Sequence, residues 1–307
     1  NILLEAFQCK DNERQSALAK WAHTSASMAK VNAMLESAKN KVGMSVPTSV
    51  FDTDPWLLNV DNGTIELRTQ TLREHRQSDM ITHCCAVAYV AGAATSLWDS
   101  FLLRIVPDPD TRLFLQKAAG YSLTGSINEQ CFFLCYGMGK NGKSKFIEAL
   151  ARQMGDYAGL IRPEALMLIK NQNNAGDIAD LRGQRMVYSI EPPSNSTFNT
   201  SFIKQQTGGE ELKGKFLYHD LFSFMPTHKL WIGTNHDIKI SDNDEGIRRR
   251  VMQAPFKVWI PPEERDPDLC EKLKLEWPGI LNWRLEGLRL YLQDSLGMPP
   301  EVQEATQ

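Results

Sequence analysis

Eight residues constrain this chain more than any others: Gly137-Met138-Gly139-Lys140-Asn141-Gly142-Lys143-Ser144. They satisfy Gly-x4-Gly-Lys-Ser/Thr without a mismatch. An apolar, strand-like run, CFFLCYG, precedes them, and an amphipathic helical run, SKFIEALARQMG, follows. A glycine-rich turn between a strand and a helix lets backbone N–H groups wrap phosphate oxygens, and the helix N-terminus adds a favourable dipole. The octet therefore predicts a nucleoside triphosphate site. Its expected contact set is Gly137, Gly139, Lys140, Asn141, Gly142, Lys143, Ser144 and Lys145. Lys143 is expected to reach the β- and γ-phosphates, and the Ser144 hydroxyl to sit on Mg²⁺. The alternative is a chance glycine-rich turn, and both flanks argue against it.

A strand that feeds such a loop needs partners. RMVYSIE and HKLWIGTN read as two further strands, FNTSFIKQQTGG as a helix start, and FLYHDLFSFMP as a strand or hairpin. Strands alternating with helices predict a parallel α/β sheet. Upstream, residues 1–45 have the composition and apolar spacing of helices. Pro47 and Pro55 break that pattern, and Asp61-Asn62-Gly63 between LLNV and TIEL signals a hairpin. SLWDSFLLRIV and DTRLFLQKAAGYSLTG read as helices separated by Pro107 and Pro109, and PDLCEKLKLEWPGILNWRLEGLRLYLQDSLG is helical again. The expected organisation is a mainly helical accessory or oligomerisation domain at 1–105, an α/β core at 106–260 and a C-terminal helical segment at 261–307.

Composition narrows the class. No run approaches the roughly 18 consecutive apolar residues of a membrane span, and the first residues lack the apolar core of a signal peptide. The absence of an initiator Met leads us to expect a fragment or a processed chain. A net charge of −3 does not advertise nucleic acid, so local clusters must decide. The cysteines at 9, 84, 85, 131, 135 and 270 form no CxxC pair; Cys131 and Cys135 read as core packing, and a reducing intracellular setting follows.

A triphosphate site needs a second acidic group at a neighbouring strand end, to support the metal shell or orient the attacking water. Glu191, closing RMVYSIE before Pro192-Pro193, is the best candidate; Asp177 and Asp180 are weaker ones. The alternative for Glu191 is an exposed strand-end glutamate. Asn235, closing HKLWIGTN, could contact the γ-phosphate and the water, or simply cap a loop. Arg248-Arg249-Arg250 follow. Three adjacent arginines are usually a solvated or DNA-facing patch, but here one could reach a neighbouring subunit's nucleotide and stabilise charge on the γ-phosphate.

These elements in this order resemble the superfamily 3 helicases, and more closely the helicase part of phage and plasmid primase–helicase replication proteins. DPWLLNVDNGTIELRT, FLQKAAGYSLTG leading into the loop, DLRGQRMVYSIE, FIKQQTGGEELKGKFLYHDLFSFMPTHKLWIGTN, GIRRRVMQAPF and PGILNWRLEGLRLYL are each similar to successive segments of that family, covering roughly residues 30–305. The resemblance implies an AAA+-like α/β core working as a hexameric ring on DNA with ATP and Mg²⁺. It implies Lys143 and Ser144 as Walker A, Glu191 as Walker B with Ser144 on the metal, Asn235 as sensor and Arg250 as the finger reaching the next subunit, with Arg249 as the alternative. It implies DNA contact by the hairpin residues Lys213, Lys215, Tyr218 and His219, where an ordinary charged hairpin is the competing reading.

The sequence departs from the family pattern in three places. Pro192 stands where a second carboxylate is common, Glu210 where Asp is expected, and Lys215 where Arg is common. No early paired-carboxylate constellation suggests a primase, so a polymerising domain is expected upstream if the full protein has one. The resemblance to phage and plasmid proteins implies the cytoplasm of a bacterial or archaeal host. The expected function is an ATP-driven helicase translocating on single-stranded DNA. A non-unwinding ATPase or loader and a small-molecule P-loop kinase are the alternatives.

Overall fold

The computed structural model describes residues 2–41, 43–169, 175–193, 197–236 and 245–306, the side chain of Leu3 apart. Backbone contacts divide the chain into two compact units, Asn1–Phe51 and Asp52–Gln307. The first unit carries three helices, α1 (Ile2–Gln8), α2 (Asn12–Ser25) and α3 (Met28–Lys39). Asp11 starts α2 by accepting hydrogen bonds from the Glu13 and Arg14 backbone N–H groups at 3.0 and 3.3 Å, the usual role of an N-cap carboxylate. Neither α2 nor α3 buries a residue.

The second unit opens with an antiparallel meander of β1 (Leu57–Val60), β2 (Gly63–Glu66) and β3 (Thr71–Arg73). Val60 pairs with Gly63, so Asp61-Asn62 forms the tight turn that the sequence signalled. Two helices follow, α4 (Ser96–Ile105) and α5 (Pro109–Tyr121). Asp108 caps α5 by accepting from the Thr111 N–H at 2.7 Å, and Pro109 occupies the first helical position, where a missing N–H costs nothing.

Next come β4 (Phe132–Tyr136), α6 (Lys143–Gln153), β5 (Ala158–Leu160), α7 (Ala175–Ala179), β6 (Met186–Ile190) and α8 (Thr200–Thr207). The hairpin β7 (Leu212–Gly214) and β8 (Phe222–Phe224) leads into β9 (Lys229–Thr234), α9 (Glu245–Arg248) and β10 (Val251–Pro255). The chain ends on α10 (Leu269–Leu275), α11 (Trp277–Asp294) and α12 (Pro300–Thr306).

The central sheet has the order β10-β4-β9-β6-β5, and every neighbouring pair is parallel. This is the expected parallel α/β core with helical segments before and after it. Strand β4 is buried on both faces: Phe133 and Cys135 enter one core, Phe132 and Leu134 the other. That period-2 division is what a sheet covered on both sides requires. On the first face Phe133 lies against Trp231 with ring centroids 4.5 Å apart, and Phe146 of α6 stacks on Trp98 of α4 at 5.7 Å. Helix α6 is thereby fixed between the sheet and α4.

Helices α5 and α11 meet where both carry glycine. A Cβ on Gly120 would lie 2.2 Å from the Leu288 nitrogen, and one on Gly287 would lie 2.0 Å from the Gln116 oxygen. Near this crossing Arg284 of α11 is fully buried. It donates to the Ala119 and Leu150 carbonyls at 3.2 and 3.1 Å, near the C-terminal ends of α5 and α6, where a cation is favoured by the helix dipole. Burial pulls its guanidinium down to about 10. Arg185 and Lys229, both buried, hold the segment that follows α5. Arg185 donates to the Leu123 carbonyl at 2.7 Å, and Lys229 donates to Thr124 and Ser126 carbonyls. The start of β9, read from sequence as an apolar strand, is thus anchored by a buried amine.

Cys131 and Cys135 are buried in the core, and burial pushes both thiols up to about 12. No helix among the described residues is long and apolar enough to cross a membrane.

A candidate nucleotide site at the carboxyl edge of the sheet

Parallel strands deliver the loops after them to the same edge. In register, Tyr136 stands beside Thr234, and Ile190 beside Gly233. Gly137, Asn235 and Glu191 therefore leave β4, β9 and β6 side by side, although they are far apart in sequence. The Glu191 N–H donates to the Gly233 carbonyl at 2.8 Å and the Gly137 N–H to the Thr234 carbonyl at 3.2 Å, which ties the three strand ends together.

The loop between β4 and α6 is shaped by its glycines and by one asparagine. A Cβ on Gly137 would fall 2.2 Å from the Phe256 carbonyl oxygen and 2.3 Å from the Asn141 Nδ2, so no larger residue fits. The Asn141 side chain, buried, donates to that same Phe256 carbonyl at 2.9 Å. The Gly139 N–H donates to the Gly137 carbonyl at 2.7 Å, and the Ile260 N–H donates to the Lys140 carbonyl at 2.8 Å. Lys140 and Glu191 both adopt left-handed backbone, with φ of 55° and 58°, a conformation that costs a non-glycine residue about 1 kcal/mol. Strain of this kind collects where surrounding structure fixes a loop for a purpose.

Lys143 opens α6 with its side chain buried. Its ammonium donates to the Gly137 carbonyl at 3.3 Å and to the side-chain oxygen of Asn235. Burial lowers its pKa, partly offset by the negative charge of Glu191. No ion pair engages it among the described residues, so this cation is short of negative charge at the point where the loop would present phosphate. Ser144 is half-buried and Lys145 exposed, and Lys145 lies 3.8 Å from Glu148.

A cleft of about 1060 Å³ gathers these groups. Met138 through Lys145, Glu191 and Asn235 line one end. Of the three carboxylates weighed for the second acidic role, Glu191 lines the cleft. Asp177 is instead held by Arg162 through two hydrogen bonds of 2.8 and 2.7 Å, and Asp180 is exposed away from the lining. The other end of the cleft was not anticipated. It is lined by Leu97, Phe101 and Arg104 from α4 and by Trp259, Ile260, Glu264, Arg265, Asp266, Pro267 and Leu269 from the segment after β10. The only sequence hint was the apolar face of SLWDSFLLRIV, which reads equally well as core.

The arginines divide. Arg250 is buried and its Nη1 donates to the Gly246 carbonyl of its own turn at 2.7 Å. Arg248 and Arg249 are exposed. None of the three lines the cleft of its own chain.

The hairpin residues form a separate group. Lys213 pairs with Ser223 across the hairpin, and Lys213, Lys215, Tyr218 and His219 are all exposed. Tyr218 is 95% exposed at the tip with φ of 63°. Phe216 stacks on Phe222 at 5.4 Å, and the Lys215 N–H donates to the Ala175 carbonyl at 3.0 Å, so the tip stands on a braced base.

Comparison with known proteins agrees with this architecture. Residues 1–107 match the D5 N-terminal-like family. The chain is 28% identical over 282 residues to "Putative helicase L207/L206" of Acanthamoeba polyphaga mimivirus, covering 83% of this chain and 29% of that protein. It is 26% identical over 217 residues to "Putative primase C962R" of African swine fever virus, covering 68% and 23% respectively. It is 26% identical over 256 residues to "Putative helicase 022R" of Frog virus 3, covering 75% and 26%. The chain thus spans less than a third of the length of these relatives. In fold it is similar to the apo structure of the NrS-1 C-terminal region, with a TM-score of 0.55 at 13% identity over 72% of this chain and 52% of that one. Residues 1–107 thus resemble the D5 N-terminal-like family, the longer matches are to viral proteins named as putative helicases and primases, and the solved structure shares the fold.

Proposed function

We propose that this relative of the D5-like viral helicases and primases is an ATP-driven DNA helicase motor. The observation that carries the reading is the convergence of Lys143, Asn235 and Glu191 at the ends of three adjacent parallel strands, around a loop in which Gly137 admits no side chain.

The donor set fits a magnesium nucleotide. Backbone N–H groups of the loop and the Lys143 ammonium would hold the β- and γ-phosphates. Ser144 and Glu191 would hold Mg²⁺, which when bound neutralises charge on the phosphate oxygens. Asn235 would hold the γ-phosphate and orient the attacking water, and Glu191 would accept that water's proton directly or through a second water. Lys143 and Asn235 satisfy each other when no phosphate is between them, which keeps both side chains in place.

The second half of the site is proposed to come from another copy of the chain in a ring. The exposed Arg249, or Arg248 beside it, supplies the charge-stabilising finger; Arg250 is turned into its own subunit and braces the turn that presents them. The hairpin tip, with Lys213, Lys215, Tyr218 and His219, is proposed to grip single-stranded DNA, the lysines on phosphates and the tyrosine on sugar or base. A primase or polymerase module in a longer chain is proposed as a partner, since one relative is named for a primase.

The test is ATP hydrolysis with and without single-stranded DNA. Turnover that DNA stimulates and that Lys143→Ala abolishes supports a motor. Turnover indifferent to DNA favours a non-unwinding loader, and turnover by the monomer with a small acceptor favours a kinase.

A further inference from the structure

The cleft at the sheet edge is larger than a triphosphate needs, and its second half is built differently from the first. There the aromatic and aliphatic side chains of Leu97, Phe101, Trp259 and Pro267 join charged ones such as Arg104 and Asp266 in the lining. Trp259 is the unusual member. An indole is costly to leave in water, yet this one is 57% exposed at the cleft.

Its position is nevertheless fixed from several directions. The Trp259 carbonyl accepts from Arg104 Nη2 at 3.2 Å, and the same guanidinium donates from Nε to Glu264 at 2.7 Å. The next residue, Ile260, donates its N–H to the Lys140 carbonyl within the phosphate loop. The Ile260 carbonyl accepts from Arg265 at 2.9 and 2.8 Å, and the Arg265 guanidinium lies 5.8 Å from the indole centroid. A tryptophan left open to the cleft and pinned by backbone to α4 and to the phosphate loop is a preorganised flat surface. Its separation from the loop is set by one hydrogen bond rather than by a flexible linker.

We propose that Trp259 is the stacking platform for the base of the bound nucleotide, in a base subsite whose apolar lining also includes Leu97 and Phe101 of α4. The inference rests on the nucleotide reading of the phosphate loop and adds the residues that recognise the nucleoside end. The ligand class is a purine nucleoside triphosphate, whose wide ring system offers the largest π-face to the indole. Arg104 is a positioning residue here: it holds the Trp259 backbone through its carbonyl.

Two probes separate the halves of the cleft. Equilibrium binding of ATP and of inorganic tripolyphosphate, each with Mg²⁺, is measured on the full chain. Wild-type protein is expected to bind both. Trp259→Ala is expected to weaken ATP roughly tenfold or more while leaving tripolyphosphate unchanged, the loss expected for one base–aromatic stack. Trp259→Phe, which keeps a ring, is expected to recover most of the ATP affinity. Trp259→Ala that leaves ATP binding intact, or weakens both probes equally, overturns the subsite. Wild-type protein that binds neither probe removes the phosphate-loop reading, and the subsite with it.

Discussion

The Lys143 ammonium and the Asn235 side-chain oxygen are hydrogen-bonded to each other across the cleft. One residue begins α6 and the other follows β9, 92 positions later. On the proposed nucleotide reading, each is held by the group it would release to phosphate. Removing Asn235 should leave the loop able to bind nucleotide but deprive the transition state of a donor. Asn235→Ala is expected to lose roughly a hundredfold in turnover while ATP affinity changes only a few-fold. Steady-state hydrolysis alongside ATP titration measures this, and a fall in affinity that matches the fall in turnover would assign Asn235 to ground-state binding instead.

Arg250 and Arg249 are adjacent in sequence and opposite in burial, and they should fail in different ways. Arg250→Ala removes a buried, hydrogen-bonded guanidinium and should cost on the order of 2 kcal/mol of stability, read as a lower Tm. Arg249→Ala should leave Tm unchanged and lower hydrolysis. Mixing Arg249→Ala with Lys143→Ala should restore some activity, because a shared site can then be assembled from one intact half of each. No recovery in the mixture would remove the inter-subunit finger.

The hairpin separates charge from stacking. Lys213→Ala and Lys215→Ala should each reduce the salt dependence of single-stranded DNA affinity by about one unit of log–log slope. Tyr218→Ala should weaken binding by about 1–3 kcal/mol with the slope unchanged, and its Tm should hold because the ring is exposed. Affinities measured from low to high salt decide it; indifference to all three substitutions would leave the hairpin an ordinary charged loop.

Acid sensitivity should arise partly at Asp52. Burial pushes its carboxyl up, but hydrogen bonds from His83 and Thr82 and the His83 charge outweigh that and hold it at about 2. Thr82 donates to Asp52 from its backbone N–H at 2.8 Å and also from its hydroxyl, and His83 stacks on Tyr157 at 5.4 Å. A depressed carboxylate stabilises the fold above its unfolded pKa of about 3.9 and loses that contribution as pH falls towards about 2. The group is only half-shielded from solvent, so the contribution is on the order of 1 kcal/mol. Asp52→Asn should be less stable than wild type at pH 6, and the two should converge as pH drops from about 4 to about 2. A constant difference across that window, followed by thermal or urea melts, would contradict the assignment.

What could be read from the sequence was mostly local. The octet Gly137–Ser144 carries its own geometry in its spacing, and CFFLCYG, RMVYSIE and HKLWIGTN are strands because short apolar runs bounded by turn residues suit a sheet buried on both faces. The register that brings Glu191 beside Asn235 is long-range: the sequence marks both as strand-end residues, but which strands are neighbours is set by sheet pairing. Strand β10 passed unrecognised because VMQAP, with its glutamine and proline, lacks a strand pattern; its pairing to β4 makes it one. Three adjacent arginines look alike in a sequence, and only packing sends Arg250 inward. The far wall of the cleft was invisible because Phe101 and Trp259 lie 158 residues apart and each reads as an ordinary apolar residue. Lys229 was hidden inside a strand whose apolar neighbours concealed a buried cation.

Nucleotide turnover at Lys143 is proposed to drive DNA strands apart. Displacement of a labelled strand from a forked duplex, with ATP and Mg²⁺, tests it most directly. The wild-type chain is expected to displace the strand, and Lys143→Ala to displace none at equal DNA occupancy. Equal displacement by both proteins, or ATP hydrolysis by wild type without any displacement, would contradict it.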